Sequence, residues 1–230
     1  MDNFCDYCNA GNLELVKYLI SVYQGESINY YISWGFFHAC QHNHLDVAEW
    51  LFTNFPNRYE SLGIITKLWL LRDVCTNRYF DVAHFLVKNF PNINFIPEIE
   101  KLFRDSCINN NLDFSQDLVK NFPNINFMIE IEKIFNYACM NDNLDIIKNL
   151  VKHFSDINFV PEIEKLFKYS CVSNNLDFAQ NLIKEFSEIF SCNDYISNIM
   201  CLYEEIYDGG QLDVAEWLTR QFPKIFQNKI

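Results

Sequence analysis

The heptapeptide LDVAEWL occupies Leu45–Leu51 and recurs unchanged at Leu212–Leu218. Looser copies accompany it. The segments AGNLELVKYL, HNHLDVAEWL, NRYFDVAHFL, NNNLDFSQDL, NDNLDIIKNL, SNNLDFAQNL and GGQLDVAEWL align without gaps on Leu13, Leu45, Phe80, Leu112, Leu144, Leu176 and Leu212. The intervals are 32, 35, 32, 32, 32 and 36 residues. Longer echoes hold the register: KNFPNINF begins at Lys88 and Lys120, and PEIEKLF at Pro97 and Pro161. Self-similarity at this period means a stacked array of small units, because one unit cannot bury its apolar face alone. No duplicated active site is needed to explain the identical heptapeptides.

Each period reads as two helices. From Pro97, the residues Ile99, Leu102, Phe103, Ser106 and Cys107 fall at i, i+3, i+4, i+7 and i+8, one helical face. Pro97 suits a first turn, where its missing N–H has no intrahelical partner to lose. The second helix, after Leu112, presents Phe114, Ser115, Leu118, Val119 and Phe122 to the core. Pro91, Pro123 and Pro223 each follow a Phe at a helix end, where proline stops the helix. Only 6 Gly and 6 Pro in 230 residues leave too few tight turns for a β-sandwich. The class expected is all-α.

The junction between the two helices carries the clearest positional chemistry. Two residues before the anchors stand Gly11, Asn43, Arg78, Asn110, Asp142, Asn174 and Gly210. Gly, Asn and Asp accept the left-handed backbone with which helices commonly end. Arg78 departs from that set, so its junction is expected to be strained or differently turned. One residue after the anchors stand Glu14, Asp46, Asp81, Asp113, Asp145, Asp177 and Asp213, an acid at every copy. An N-cap or first-turn carboxylate facing the positive helix end accounts for all seven.

These residues resemble the ankyrin repeat. In FFHACQHNHLDVAEWL, Phe36 matches the Leu of that family's first helix and Ala39–Cys40 its alanine pair. Asn43–His44 matches its turn, and Leu45, Asp46, Val47 and Leu51 its second helix. The resemblance covers all seven periods and implies an α-solenoid of helix-turn-helix repeats. It is read as one array over 1–230, with repeats at about 1–32, 33–67, 68–99, 100–131, 132–163, 164–199 and 200–230. That leaves no room for an appended catalytic domain within the chain. Phe37, Arg72, Arg104, Asn136 and Lys168 replace the family's first-helix His, and NINF stands where its Asp-Gly hairpin would be. Reduced or missing β-fingers are therefore expected. Three extra residues near NRYESLGIITK and four near SEIFSCNDYISN imply longer loops or helix extensions. The Asn-, Phe-, Ile- and Lys-rich wording is similar to degenerate ankyrin-repeat proteins of giant amoebal DNA viruses.

Cys8, Cys40, Cys75, Cys107, Cys139 and Cys171 each lie five residues before an anchor, at the second position of the alanine pair. Core packing explains them, since free Cys behaves as a small buried hydrophobe. Cys5 and Cys8 form a C-x-x-C, and His38, Cys40, His42 and His44 cluster in HACQHNH. Both arrangements are candidates for metal or redox chemistry. Neither has a matching partner motif elsewhere, and structural roles are preferred. The chain carries no Gly-rich phosphate loop, no nucleophile elbow and no H-E-x-x-H. No catalytic, cofactor-binding or metal residue is assigned, no cofactor is expected, and the chain is read as a non-enzyme.

A net charge of −12, from 18 basic and 30 acidic residues, opposes phosphate binding and so excludes nucleic acid and anionic membrane as partners. The N-terminus lacks a signal-peptide pattern and no run of 18 apolar residues exists. An intracellular protein, cytoplasmic or nuclear, is expected (the host cytoplasm if the chain is viral). It is read as a monomer.

The function implied is a protein–protein interaction scaffold. By the ankyrin resemblance, the concave side includes the end of each first helix: Gln41 and His42, Thr76 and Asn77, Ile108 and Asn109, Met140 and Asn141, Val172 and Ser173. Ile108, Met140 and Val172 make an apolar stripe, with Tyr137 and Tyr169 beside it. Alternatives are a metal- or redox-responsive protein using Cys5/Cys8 or the His38–His44 cluster, and a purely structural viral component.

Overall fold

The structure is a computed structural model that describes residues 3–22, 28–59, 62–190 and 193–226, with side chains at all of these but 28–29 and 193–197. Among the described residues there are sixteen α-helices and no strand. First and second helices alternate: α1 (Phe4–Asn9), α2 (Leu13–Val22), α3 (Ile28–Gln41), α4 (Leu45–Asn54), α5 (Ile64–Thr76), α6 (Phe80–Asn89), α7 (Ile96–Ile108) and α8 (Leu112–Asn121). They continue as α9 (Met128–Met140), α10 (Leu144–His153), α11 (Val160–Val172), α12 (Leu176–Glu185), α13 (Ser187–Phe190), α14 (Asn193–Asp208), α15 (Leu212–Gln221) and α16 (Pro223–Phe226). Every sequence anchor is the first residue of a second helix. The fold is all-α, of ankyrin-like helix pairs, and no β-finger occurs among the described residues.

The chain forms two compact units, Met1–Ser106 with Asp113–Phe127, and Cys107–Leu112 with Met128–Ile230. In the first, α3 packs on α1, α4 and α5, and α2 on α4. In the second, α11 packs on α9, α12 and α14, and α10 on α12. First helices thus stack on first helices and second on second. The core follows the predicted faces but for one residue: Ile99, Leu102, Phe103, Ser106 and Cys107 are all buried, as are Phe114, Ser115, Leu118 and Phe122, whereas Val119 is half-buried.

The helix–helix turn is the same at every junction. Gly11, Asn43, Arg78, Asn110, Asp142, Asn174 and Gly210 all have φ between 51° and 78°. At Asn43 the N–H donates to Cys40 O (3.2 Å) and the next N–H, of His44, to Ala39 O (2.8 Å). This bond pair is the Schellman closure, which satisfies carbonyls that a helix end otherwise leaves unpaired. It recurs at Gly11, Arg78, Asp142, Asn174 and Gly210. Arg78 is therefore strained and not differently turned: at φ 62° it adopts the common geometry with a Cβ that opposes it. Its guanidinium lies 3.3 Å from Asp117 Oδ2, a half-exposed pair worth little in water. Arg78→Gly should relieve about 1–2 kcal/mol of left-handed strain and lose less than about 1 kcal/mol of ion pairing. Urea unfolding should show a net gain near 1 kcal/mol; a net loss would show that Asp117 matters more than the backbone.

The acidic residues after the anchors sit inside the first turn and are solvent-exposed. The N-cap position belongs instead to the residue before the anchor. Asn12 Oδ1 accepts from Leu15 N at 3.1 Å and Asn175 Oδ1 from Phe178 N at 3.3 Å. The carboxylates therefore act through the helix dipole and not as caps.

At the far end of each second helix from α4 onward a Phe N–H donates to the Leu carbonyl four residues back, for example Phe90 to Leu86 (3.0 Å) and Phe154 to Leu150 (2.9 Å). The chain then turns on an i→i+3 bond: Ile93 N to Phe90 O, Ile125 N to Phe122 O, Ile157 N to Phe154 O and Ile225 N to Phe222 O. Proline at the second position of most of these turns pre-sets φ. A β-turn stands where a hairpin finger would be.

The aromatic that ends each linker is part of the core. Phe95, Phe127, Phe159, Phe190 and Phe226 are buried, and so is Tyr59 in the equivalent place. All but Phe95 meet an aromatic ring nine residues before the anchor: Phe36–Tyr59 at 4.5 Å, Phe103–Phe127 at 4.6 Å, Phe135–Phe159 at 5.8 Å, Phe167–Phe190 at 4.9 Å and Tyr203–Phe226 at 4.9 Å. Such ring pairs add specific geometry to simple apolar burial.

Both insertions resolve locally. After α4 the chain makes a short 3-10 turn, Pro56–Arg58, before the buried Tyr59. Near the second insertion, α13 is added and α14 lengthens to 16 residues against 13 for α11. Glu60, Ser61, Ser191 and Cys192 lie outside the described residues.

Candidate interaction surface

The cysteine ladder is buried and unbridged. Cys8, Cys40, Cys75, Cys107, Cys139 and Cys171 are at most 2% exposed and none is in a disulfide. Burial pushes the thiols up, to about 12 for Cys8, Cys75 and Cys171 and about 11 for Cys139, and further for Cys40. A thiol held this high supplies almost no thiolate near neutral pH, and thiolate is the reactive form. Cys5, half-buried, is also raised, by burial and then by Asp6. The C-x-x-C pair is therefore biased against nucleophilic and metal-binding chemistry. Cys201 is exposed. A thiol reagent should label Cys201 quickly in the native protein and the six ladder cysteines only after denaturation; early labelling of the ladder would contradict its burial.

The histidines of HACQHNH are turned to separate tasks. His42 Nδ1–H faces its own helix at His38 O, 3.1 Å away. His44 Nε2–H donates to Asn9 O of the preceding turn at 2.9 Å. His38 is held below its ordinary value by burial and by His42, with Asp6 opposing. Among the described residues no three His, Cys, Asp or Glu side chains are grouped to hold a metal ion. No described helix is long and apolar enough to cross a membrane.

The turn edge is stitched from one pair to the next by hydrogen bonds like that of His44. Asn149 Nδ2 donates to Asn110 Oδ1 (2.8 Å), Asn175 Nδ2 to Asp142 Oδ1 (2.7 Å) and Gln211 Nε2 to Val172 O (2.8 Å). Within the second unit the left-handed Asp142 thus ties its turn to the next helix pair as well as turning the chain.

Several polar surface candidates spend their donors on the helix that carries them. Thr76 Oγ1–H donates to Arg72 O, Asn77 Nδ2–H to Asp73 O and Asn141 Nδ2–H to Tyr137 O, at 2.8–2.9 Å. They close the last turn, as side chains at helix ends do. Gln41 Nε2 reaches across to Asp73 Oδ2 on the next first helix (3.2 Å). Asn109 and Ser173 are exposed at the helix ends.

The apolar candidates divide. Met140 is 75% exposed, and Tyr137, Tyr169 and Val172 are exposed too, whereas Ile108 is half-buried. In the second unit Met140, Tyr169 and Val172 line one cleft of about 630 Å3 with Asn136, Lys165 and Lys168. Ile108 and Tyr137 are outside that lining. Lys168 pairs with Glu205 at 2.7 Å and Lys165 with Glu132, so the basic rim is neutralised. An apolar floor with a paired, polar rim is the composition of a protein-binding surface.

The sequence reasoning did not single out the outer rows of the first helices. Fifteen and eleven residues before their anchors, α3 presents Tyr30 and Trp34, and α5 presents Ile65 and Trp69. Tyr30, Ile65 and Trp69 are each more than 60% exposed. The signal lay in the register: later copies carry Lys101, Lys133 and Lys165 where Trp34 and Trp69 stand. A position that accepts lysine is an exposed one, and tryptophan there is not explained by the core.

No curated protein matches the chain. Residues 130–159, which hold most of α9, the left-handed turn at Asp142, all of α10 and the linker to Phe159, match the family model described as ankyrin repeat, and that match supports an ankyrin-repeat protein.

Proposed function

We propose that the chain is a non-enzymatic scaffold that binds a protein partner on the exposed face of its first helices. The observation that carries this is the cleft of the second unit. Met140, Tyr169 and Val172 leave apolar surface in water there while Lys165 and Lys168 are tied to carboxylates. Ankyrin repeats generally mediate protein–protein interaction, which agrees with this use of the surface. Tyr is enriched where binding energy concentrates, in pockets that become desolvated when the partner binds. If the chain is encoded by a giant virus, as its wording suggests, the partner is a host protein and the scaffold an adaptor.

The test is affinity capture with the full chain and with a Met140→Asp, Val172→Asp double variant. Both side chains are exposed, so the variant should keep the helical signal and unfolding midpoint of the wild type. Captured partner should fall at least about tenfold, the loss expected when charges must be buried unpaired in an interface. Undiminished capture by the folded variant would reject this face.

A further inference from the structure

The first unit carries a second exposed surface whose chemistry is more specific than apolarity. Along α3 the rings form a continuous strip: Tyr30 to Trp34 at 6.2 Å, Trp34 to Phe37 at 5.6 Å and Trp34 to His38 at 6.4 Å. α5 packs beside α3 and repeats the strip in register with Ile65 and Trp69. Two tryptophans thus stand at equivalent positions of adjacent helices, Trp69 exposed and Trp34 half-buried, where three later copies carry lysine.

The charges at the end of the strip are negative. Asp6 on α1 is exposed and close enough to His38 to act on its ring, and Asp73 on α5 accepts from Gln41 of α3. Arg72, the basic residue in the corresponding row of α5, is 3.1 Å from Glu98 and offsets it. His38 is held toward its neutral form by burial and His42. Lys67 is buried, with its Nζ 4.8 Å from the Phe90 ring centroid, and adds no charge to this surface. The strip thus joins the negative faces of aromatic rings to carboxylates.

We propose that this aromatic strip of α3 and α5 docks a cationic segment of a protein partner, with arginine or lysine side chains lying on Trp34 and Trp69 and reaching toward Asp6 and Asp73. Ring faces attract cations, tryptophan most strongly, and guanidinium also stacks on them. The net charge of −12 draws such a segment toward the chain before contact. A phosphate-bearing ligand finds the wrong sign here, since stacking platforms for nucleic acid come with unpaired basic residues along the backbone track. The inference rests on the reading that first helices present the binding face, and it adds the class of partner for the first unit.

The experiment measures binding of labelled twelve-residue peptides to the full chain by fluorescence anisotropy: alternating Arg/Gly, alternating Glu/Gly and alternating Leu/Ser. The Arg/Gly peptide should bind and the other two should not, with affinity falling as salt is raised. Trp69→Ala, which removes an exposed ring and no charge, should weaken Arg/Gly binding by about tenfold. Asp73→Asn should weaken it by several-fold. Met140→Asp should leave it unchanged, which separates this site from the cleft of the second unit. Equal affinity for wild type and Trp69→Ala would mean that diffuse negative charge does the binding, and would overturn the proposal. Equal affinity for the Leu/Ser peptide, or no binding of the Arg/Gly peptide, would overturn it as well. If Trp69→Ala loses the peptide while the Met140→Asp, Val172→Asp variant keeps its captured partner, the cleft fails and the strip stands.

Discussion

Phe167→Ala should lower the unfolding free energy by about 3–5 kcal/mol, the cost of an emptied aromatic site in a close-packed core. Phe167 has no exposed surface. Its ring centroid lies 4.9 Å from Phe190, 6.2 Å from Trp217 and 6.3 Å from Phe222. Truncation would strip contacts from the linker aromatic, from α15 and from the residue that caps it together. A domain's whole stability is typically about 5–15 kcal/mol, so this loss is large. Tyr169→Ala, two residues on, is the control: it is exposed and should stay within about 0.5 kcal/mol of wild type. Urea midpoints at constant slope separate the two. A loss below about 1 kcal/mol for Phe167→Ala would mean that the ring-on-ring rung is not a stabilising unit.

Gly11→Ala is the second large effect. Gly11 has φ 70°, and a Cβ built there lies 2.3 Å from His44 Nδ1. The left-handed backbone alone costs a non-glycine residue about 1–2 kcal/mol. The displaced imidazole also loses its bond to Asn9 O, which adds about 0.5–1.5 kcal/mol. A total near 2–3 kcal/mol is expected. Gly210→Ala isolates the first contribution, because Gly210 has φ 78° and nothing within 4 Å of the added carbon. A His44→Ala background should bring the cost of Gly11→Ala down to the Gly210 value. If the two glycine substitutions cost the same in the wild-type background, His44 is not the constraint.

Much of this was legible in the sequence because a repeat reports each position several times. The anchors began every second helix, and the residues two before them all took the left-handed turn, including Arg78, for which composition alone gave no support. Seven acids in register marked the first turn but did not reveal that the cap lay one residue before the anchor. Both placements put a carboxylate near the positive helix end. The linker phenylalanines were hidden for a different reason. NINF reads as a polar turn, and only packing shows Phe95, Phe127 and Phe159 folding back into the core. The surface was least legible. Met140, Tyr169 and Val172 converge on one cleft, but Ile108 is half-buried and Thr76, Asn77 and Asn141 close helix ends. Family positions direct attention to the helix ends, whereas Tyr30, Trp34, Ile65 and Trp69 lie two to three turns earlier on the same helices.

Hydrogen exchange of the full chain with a captured partner bound tests the central claim most directly. Binding on first helices predicts that added protection falls on α9 and α11, around Asn136–Asn141 and Lys165–Ser173, while the linkers after α6 and α8 and the outer faces of α10 and α12 exchange as in the free protein. Protection concentrated on the FPNI turns at Phe90–Ile93 and Phe122–Ile125 or on the second helices, with α9 and α11 unchanged, would contradict it.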